Sequence, residues 1–454
     1  METTNQNLGN NATTVQTSTV VNQPVTVPVA NQTQTKVVNP KLTKLHNSIL
    51  AANVPQIVMI SISYALDLRS SDIHIEPQEN HVRIRYRVDG VLREIVEYPM
   101  NIHPAVVSRV KIMSNLKIDE QRLPQDGRAE VTTKDGREMD LRVSTLPTVN
   151  GEKIVMRIQD KSREIPDLPN LGISGISLKN IEIALASPNG IIINTGPTGS
   201  GKTTTLYSCL TRLNKPEVNI LTIEDPVEIQ VDGLSQSQVH HDIDYNFATG
   251  MRSALRQDPD IIMVGEMRDK ETANAAIEAS LTGHLVFSTL HTNSAVESLI
   301  RLINMGIAPY LLTSTIELII AQRLVRRLCD KCKKKSNPDS EILDLVRHSL
   351  EDLHVEGEID PTLKENLEFY EPVGCPECND VGYKGRTGLY EVLRMNNELR
   401  KLISENATMI EIQAVAQKTG MVTLEQSGII KSLQGETSLE EVYRVATKSV
   451  EDEK

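Results

Sequence analysis

The spacing of apolar and polar residues changes along the chain and predicts two kinds of folded region. Residues 81–88, HVRIRYRV, alternate strictly between polar and apolar side chains, which predicts a half-buried strand with its arginines facing outward. Before this strand, Ile57, Ile62 and Leu66 belong to a stretch that is typical of a helix. These patterns predict a small α+β domain over residues 41–160.

Short apolar runs that are typical of buried strands dominate the next part of the chain. They lie at residues 191–193, 219–223, 260–264 and 285–290. The first run leads into TTLYSCLTRL, where apolar residues recur at helical spacing. These runs predict the strands of an α/β domain over residues 171–328.

Other segments lack such patterns or repeat only short ones. Residues 1–40 are rich in Thr, Asn, Gln and Val without a sustained period, which predicts a disordered polar tail. The segment 161–170, KSREIPDLPN, has two prolines and mixed charge and is the predicted linker. Residues 391–454 contain short helical patterns and are predicted to be a helical C-terminal region.

Composition narrows the classes of function. The 454 residues are enough for about three domains. A net charge of -12, no tryptophan and three phenylalanines argue against nucleic acid as the main partner. No apolar stretch is long enough to span a membrane, and the polar N-terminus does not resemble a signal peptide, so we expect a cytoplasmic protein.

The sequence GPTGSGKT has the spacing of a phosphate-binding loop. Its glycines allow successive backbone N–H groups to surround phosphate oxygens at the start of a helix. Lys202 is expected to reach the β and γ phosphates of ATP, and the Thr203 hydroxyl is expected to bind Mg²⁺. The predicted nucleotide-binding residues are Gly196, Pro197, Thr198, Gly199, Ser200, Gly201, Lys202 and Thr203.

Two later strands are predicted to end in carboxylates. TIEDPVE supplies Glu224, Asp225 and Glu228, which suit a magnesium site behind a phosphate loop, although a solvated acidic loop is the alternative. The run ending in MVGEMRD presents Glu266 as the candidate general base that deprotonates water. Gly265 stands where aspartate is usual, so contact with magnesium is predicted for Thr203 and Glu224.

TGHLVFSTLHTN places histidines on both sides of a further apolar strand. His291 lies at the predicted carboxyl end of that strand, where it could sense the γ-phosphate. His284 precedes the strand, and a structural hydrogen bond is an equally good explanation for it.

Cysteine spacing predicts a metal site. Two C-x-x-C pairs, separated by a long insert, supply four thiolates for a tetrahedral structural zinc site. The predicted ligands are Cys329, Cys332, Cys375 and Cys378. Cys209 stands apart on the helix after the phosphate loop and is expected to be a buried, unreactive thiol.

These motifs, in this order, resemble those of the type II secretion and type IV pilus assembly ATPases. TIEDPVE is similar to their aspartate box, MVGEMRD to their Walker B motif and TGHLVFSTLHTN to their histidine box. The resemblance continues from SDIHIEP through RLPQDGR to AQRLVRRLC and covers roughly residues 50–445. It implies a RecA-like P-loop domain, a smaller N-terminal (PAS-like) domain and a zinc-binding insertion at residues 329–390.

The resemblance also implies a ring of six subunits in which the N-terminal domain closes on ATP. Arg109, Arg122 and Arg128 match the family's phosphate-sensing arginines. Pairing with the neighbouring acidic residues on the surface is the alternative; these are Asp119, Glu120 and Asp126.

The implied function is a homohexameric motor that hydrolyses ATP, with Mg²⁺ and a structural Zn²⁺, to assemble pilus or secretion pseudopilus subunits. Its expected partner is an inner-membrane platform protein. Residues 1–40 do not account for the further N-terminal docking domain that many members have. A basic run could touch anionic lipid instead, or it could be a solvated face; it comprises Arg323, Arg326, Arg327, Lys331, Lys333, Lys334 and Lys335.

Two other functions remain open from the sequence. A DNA-uptake or conjugative-transfer motor of the same superfamily would share the core motifs. A nucleotide-gated scaffold with little turnover would look the same in sequence.

Overall fold

The computed structural model describes residues 39–133, 136–160, 164–351, 353 and 367–446. The predicted tail therefore lies outside the described residues except at its end. The predicted turn residues Lys134 and Asp135, the start of the predicted linker and the last residues of the chain also lie outside.

The N-terminal part of the described chain is a six-stranded antiparallel sheet covered by helices. Its strands follow the order β3-β2-β1-β6-β5-β4. The elements are α1 (Pro40–Leu50), α2 (Val54–Asp67), β1 (Ser70–Pro77), β2 (His81–Val88), β3 (Val91–Pro99), α3 (His103–Met113), β4 (Gln125–Thr132), β5 (Glu138–Thr148) and β6 (Gly151–Asp160).

The alternating pattern of β2 decides which face of this sheet is buried. Val82, Ile84 and Tyr86 are fully buried and pack with Ile57 of α2, as the alternation predicts. The Tyr86 hydroxyl donates to the backbone carbonyl of Ser61 at 2.8 Å, so its one polar group is satisfied inside the core.

The opposite face of β2 is an ion-pair network and not merely a solvated surface. Arg83 and Arg85 contact the carboxylate of Glu76 at 3.2 and 2.8 Å. Arg87 lies 3.3 Å from the carboxylate of Asp72. Both acids are on β1, directly beside β2, so cross-strand pairing explains why these arginines share one face.

A seven-stranded sheet forms the second layer system, with strand order β15-β12-β7-β11-β10-β8-β9. Its strands are parallel to their neighbours except β15, which pairs antiparallel with β12. The elements of this part are α4 (Gly175–Leu185), β7 (Gly190–Thr195), α5 (Lys202–Leu213), β8 (Ile220–Glu224), β9 (Leu234–Gln238), α6 (Phe247–Ala254), β10 (Ile261–Val264), α7 (Lys270–Leu281), β11 (Leu285–Leu290), α8 (Ala295–Asn304), α9 (Pro309–Thr315), β12 (Ile316–Leu328) and β15 (Tyr383–Arg394).

Apolar residues cover both faces of this sheet, which explains the uninterrupted apolar runs of its strands. Ile191 and Ile193 of β7 face one core, whereas Ile192 faces the other with Leu206 and Cys209 of α5. Because β7, β8, β10 and β11 run parallel, the segments that follow them meet at one edge of the sheet.

The remaining elements surround the antiparallel strand β15. A small two-stranded sheet and a helix precede it, and helices follow it. They are β13 (Lys334–Ser336), α10 (Ser340–Glu351), β14 (Phe369–Glu371), α11 (Asn397–Ser404), α12 (Met409–Lys418), α13 (Leu424–Leu433) and α14 (Leu439–Ala446). Short 3₁₀ turns occur at Met100–Ile102, Leu168–Leu171, His241–Ile243 and Pro376–Cys378.

The predicted fold class is confirmed: an α/β nucleotide-binding fold with a smaller α+β part, a cysteine-containing insertion and C-terminal helices. The predicted domain boundaries stay predictions. The strand β15 continues past the boundary that was predicted at residue 390. It pairs with β12 on both sides of that residue.

Candidate active site and cysteine cluster

The phosphate loop connects the end of β7 to the start of α5. Gly196 has φ 149°, and a Cβ atom there would lie 2.5 Å from the backbone oxygen of Gln322. Gly201, with φ 90°, precedes the first turn of α5. Glycine is therefore required at these positions by backbone conformation and by the closeness of β12. The first amides of α5 open toward the loop, which is the geometry of an anion site.

Lys202 folds back onto this loop. Its Nζ donates to the carbonyls of Gly196 and Pro197 at 2.8 and 3.0 Å. Burial lowers the pKa of Lys202 to about 8, with Glu266 opposing the shift and Arg323 adding to it. A phosphate group would offer the ammonium stronger acceptors than two neutral carbonyls.

Glu266 follows β10 and faces two basic side chains. Its carboxylate lies 2.6 Å from Arg268 Nη2 and 3.4 Å from His291 Nε2, and it is 13% exposed. Burial disfavours the charged form, but His291 and Arg268 more than offset this and hold the pKa of Glu266 below its usual value. Glu266 is therefore ionised at neutral pH and can accept a proton.

Backbone contacts bring Glu266 and His291 together. The Thr289 hydroxyl donates to the Gly265 carbonyl at 2.7 Å, and the Met267 N–H donates to the Thr289 carbonyl at 3.0 Å. These bonds join the ends of β10 and β11. A Cβ atom on Gly265 would lie 3.2 Å from the Phe247 ring, which gives a steric reason for glycine where aspartate is usual.

Glu224, at the end of β8, is buried and occupied by hydrogen bonds. Its carboxylate accepts from Tyr207 at 2.5 Å, Thr222 at 2.6 Å and Gln236 at 3.2 Å. Burial raises its pKa, although these donors act in the opposite direction. A magnesium contact by Glu224, as the sequence predicts, would have to compete with all three donors.

The other acids of TIEDPVE point to different partners. Asp225 Oδ2 lies 2.9 Å from His241 Nε2. Glu228 lies 3.3 Å from Arg142 of β5 and also contacts Gln159 of β6. The three acids of TIEDPVE therefore lie in three different environments.

Two residues of β12 belong to the site although no role at the site was predicted for them. Gln322 Oε1 accepts from Asn194 at 3.0 Å and from Thr205 at 2.9 Å, on either side of the phosphate loop. Arg323 is buried and donates to Asn293, two residues after His291, at 2.7 Å. Adjacent polar residues inside the apolar run of β12 are the signal that could have identified them.

The predicted phosphate-sensing arginines lie in the N-terminal part of the chain. Arg109 is half-buried on α3, and Arg128 is exposed on β4. Arg122 is 89% exposed; its backbone N–H donates to Glu120 at 2.7 Å and its guanidinium contacts the same carboxylate at 3.5 Å, which is the surface pairing given as the alternative. Within the described ranges, no hydrogen bond or ion pair joins any of the three to the phosphate loop.

His284 makes a structural contact. Its Nδ1 lies 2.8 Å from the Ala279 carbonyl, at the end of α7. Cys209 is buried in the core, where burial raises the pKa of its thiol to about 12, as expected for an unreactive cysteine.

The four predicted zinc ligands converge. Their sulfur atoms all lie within 4.8 Å of one another, although the pairs come from the end of β12 and from the segment before β15. Backbone N–H groups of Gly374 and Gly382 donate to the sulfurs of Cys332 and Cys378 at 3.4 and 3.1 Å. Four converging sulfurs with N–H donors fit a tetrahedral thiolate site for Zn²⁺.

The basic run that begins on β12 and continues past its end is not one continuous surface. Arg323 is buried beside the phosphate loop, and Arg326 binds Glu441 at 2.8 Å while lying 4.0 Å over the Tyr383 ring. Alternation along β12 turns these side chains to different sides. Arg323 is therefore not part of a surface that could touch lipid or face solvent, which were the two interpretations of the run. No helix in the described part of the chain has both the length and the apolar character needed to cross a bilayer.

Together these features define a class of protein. A phosphate loop after a central parallel strand, with an ionised glutamate at the end of β10 two strands away, is the site of a RecA-like P-loop ATPase. The chain belongs to the Type II/IV secretion system protein family, whose model matches residues 50–444.

Named relatives agree with this assignment. A type IV pilus assembly ATPase of Myxococcus xanthus is 47% identical over 86% of this chain and 67% of that protein. A type II secretion system protein E of Xanthomonas campestris is 48% identical over 87% of this chain and 68% of that protein. The Legionella pneumophila ATPase DotB has the same fold, with a TM-score of 0.62 and 24% identity over 86% of this chain and 95% of its own. The chain is an ATPase of this family.

Proposed function

We propose that the chain is a hexameric motor that hydrolyses ATP to assemble type IV pilus or type II secretion pseudopilus subunits. The observation that carries this proposal is Glu266, ionised at the end of β10 and held by His291 and Arg268 beside the phosphate loop. The names of the two relatives above supply the pilus and secretion context.

In this proposal the residues around the loop divide the work of hydrolysis. Glu266 orients a water molecule and accepts its proton, and His291 and Arg268 keep the carboxylate charged. Lys202 exchanges its two loop carbonyls for phosphate oxygens. Mg²⁺ would be held by Thr203, which is exposed at the start of α5, and would neutralise phosphate charge.

We propose that the arginines of the N-terminal part complete the site in the ring. Arg122 is highly exposed, and its guanidinium would exchange its 3.5 Å contact with Glu120 for the phosphates of a nucleotide bound elsewhere in an assembly. A six-membered ring on the inner face of the cell membrane, docked on an inner-membrane platform protein, would use closure of this part on ATP to do mechanical work.

The first experiment measures ATP turnover together with particle mass, with and without a non-hydrolysable ATP analogue and Mg²⁺. We expect turnover to rise with the fraction of six-subunit rings, because the arginines act across subunits. Substitution of Arg122 by Ala should reduce turnover without dissociating the ring, and Arg137 to Ala is the control, because Arg137 lies just before β5 and pairs with Asp67 at 2.8 Å. Nucleotide binding without turnover in an intact ring would favour a scaffold, and stimulation by DNA would favour a DNA motor.

We propose that the four cysteines hold a structural Zn²⁺. Removing the metal with a chelator should lower the melting temperature, since four close sulfurs without a cation lose the interaction that holds β12 to the segment before β15. Metal analysis should give one zinc per chain, lost in Cys375 to Ser and retained in Cys209 to Ala. Unchanged melting after chelation would contradict this proposal.

A further inference from the structure

The segment from His291 to Ala295, after β11, is attached to its surroundings residue by residue. His291 contacts Glu266 at 3.4 Å, and the Thr292 N–H donates to the Thr195 hydroxyl at 2.9 Å. Asn293 accepts from Arg323. This one short segment therefore contacts Glu266, the residue before the phosphate loop, and β12.

The last attachment leads out of the site. The backbone N–H of Ala295, the first residue of α8, donates to the carboxylate of Glu391 at 2.8 Å. On the same strand, the backbone N–H of Tyr390 donates to the hydroxyl of Ser427 in α13 at 3.3 Å. The backbone N–H of Leu424, the first residue of α13, favours the charged form of Glu391. Glu391 thus lies between the first turns of two helices that come from different parts of the chain.

Glu391 sits in register with the phosphate loop. It lies opposite Ala321 of β12, and Ala321 lies opposite Thr195, the residue before Gly196. Paired residues on three adjacent strands therefore connect the residue before the loop to Glu391.

The surroundings of Glu391 are unusual for an acid. Its side chain is only 3% exposed, and no basic side chain forms an ion pair with it in the described parts of the chain. Burial raises the pKa of Glu391 to about 7, although the N–H groups of the two helix starts favour its charged form. Burying a carboxylate costs free energy unless hydrogen-bond partners compensate for it. Packing alone would therefore favour an apolar residue at this position.

We infer that Glu391 is a positioning residue that holds the segment 291–295 in place and couples it to the C-terminal helices through α13. Its loss would let the start of α8 move, and His291 with it, away from Glu266. Conversely, a load or partner that displaces α13 would act on His291 through this carboxylate. The inference rests on the proposed role of His291 in hydrolysis.

The test compares four full-length proteins: wild type, Glu391→Gln, His291→Ala and the double variant. Glutamine keeps the shape and one acceptor but presents an NH₂ group to one of the two backbone donors. We expect kcat to fall by about tenfold to a hundredfold, as for a misplaced catalytic group, while KM for ATP changes by less than about threefold. In the His291→Ala background, Glu391→Gln should cause no further fall.

Asn396→Ala is the matched structural control. It removes the side-chain cap of α11, which accepts from the Leu399 N–H at 2.9 Å, and it leaves the segment 291–295, Glu391 and α13 as they are. It should lower the melting temperature and leave kcat near wild type. If it reproduces the loss of kcat, or if the effects of Glu391→Gln and His291→Ala on kcat simply multiply, the inference is wrong.

Hydrogen exchange separates this inference from the proposed function. Glu391→Gln should speed exchange of the amides at residues 292–297 and at the start of α13 together, whereas Asn396→Ala should speed exchange in α11 and leave these two segments unchanged. If His291→Ala hydrolyses ATP at the wild-type rate, the role of His291 fails and exchange alone decides the coupling. If Glu391→Gln does not fold, Glu391→Asp replaces it, with the same expected pattern and the same contradicting results.

Discussion

Glu224 and Glu266 come at the ends of neighbouring parallel strands, and their surroundings differ in a way that separates support from chemistry. Glu224 accepts from two hydroxyls and an amide in the interior, and burial raises its pKa. Glu266 faces an arginine and a histidine near the surface, and its pKa is held below the usual value. An acid at a strand end is thus insufficient evidence of catalysis, because the partners decide its charge.

The largest effect is expected for Glu266→Gln. The amide cannot accept a proton from water, so kcat should fall by about 10²- to 10⁴-fold while ATP still binds. Single-turnover hydrolysis and binding of a fluorescent ATP analogue measure the two properties separately. Turnover within about tenfold of wild type would show that Glu266 is not the base. The surroundings of Glu266 and Glu224 would then not distinguish a catalytic from a supporting acid.

A smaller and different effect is expected at Glu224. Glu224→Ala leaves three buried donors without an acceptor and should lower the free energy of unfolding by about 1–3 kcal/mol. Glu224→Gln should cost less, because the Tyr207 and Thr222 hydroxyls can rotate to accept. Urea denaturation measures both. We expect kcat of Glu224→Gln to stay within about tenfold of wild type, and a loss as large as that of Glu266→Gln would favour the predicted magnesium contact.

The smallest effect concerns pH and uses Lys202 as a reporter. With a pKa of about 8 in the free protein, Lys202 loses its proton above pH 8, whereas bound phosphates keep it protonated. ATP affinity should therefore be constant below pH 8 and fall by up to about tenfold per pH unit above it.

The two glutamates should change this pH profile differently. Glu266 raises the pKa of Lys202, so Glu266→Gln should move the fall in affinity to lower pH, while Glu224→Gln should leave it in place. Titration with a fluorescent ATP analogue from pH 7 to 10 measures the profile. The same onset of the fall in both variants would show that Glu266 does not act on Lys202.

Much of this molecule could be predicted from sequence because the relevant signals are local. Alternation in residues 81–88 fixed the buried face of β2, and the glycine spacing of residues 196–203 identified a loop whose backbone requires those glycines. The convergence of the two cysteine pairs was also predictable, since two C-x-x-C pairs are typical of a four-thiolate metal site.

Other features depend on residues that are far apart in the chain. Gln322 and Arg323 reach the site only because β12 lies beside β7, and Glu391 reaches α8 only because β15 lies beside β12. Occupation of Glu224 by three donors follows from the positions of α5 and β9. Strand order determines these contacts, and short sequence patterns do not contain it.

The cysteine cluster has a consequence for how the chain can change in length. Together with the short ladder between β13 and β14, it holds together the two ends of the segment that leaves the sheet after β12 and returns to it at β15. The ladder between β12 and β15 and the convergence of the four sulfurs hold these two strands together, whatever the number of residues between the two cysteine pairs. Evolution, or an engineer, could therefore change that number while the strands that carry Gln322, Arg323 and Glu391 keep their register.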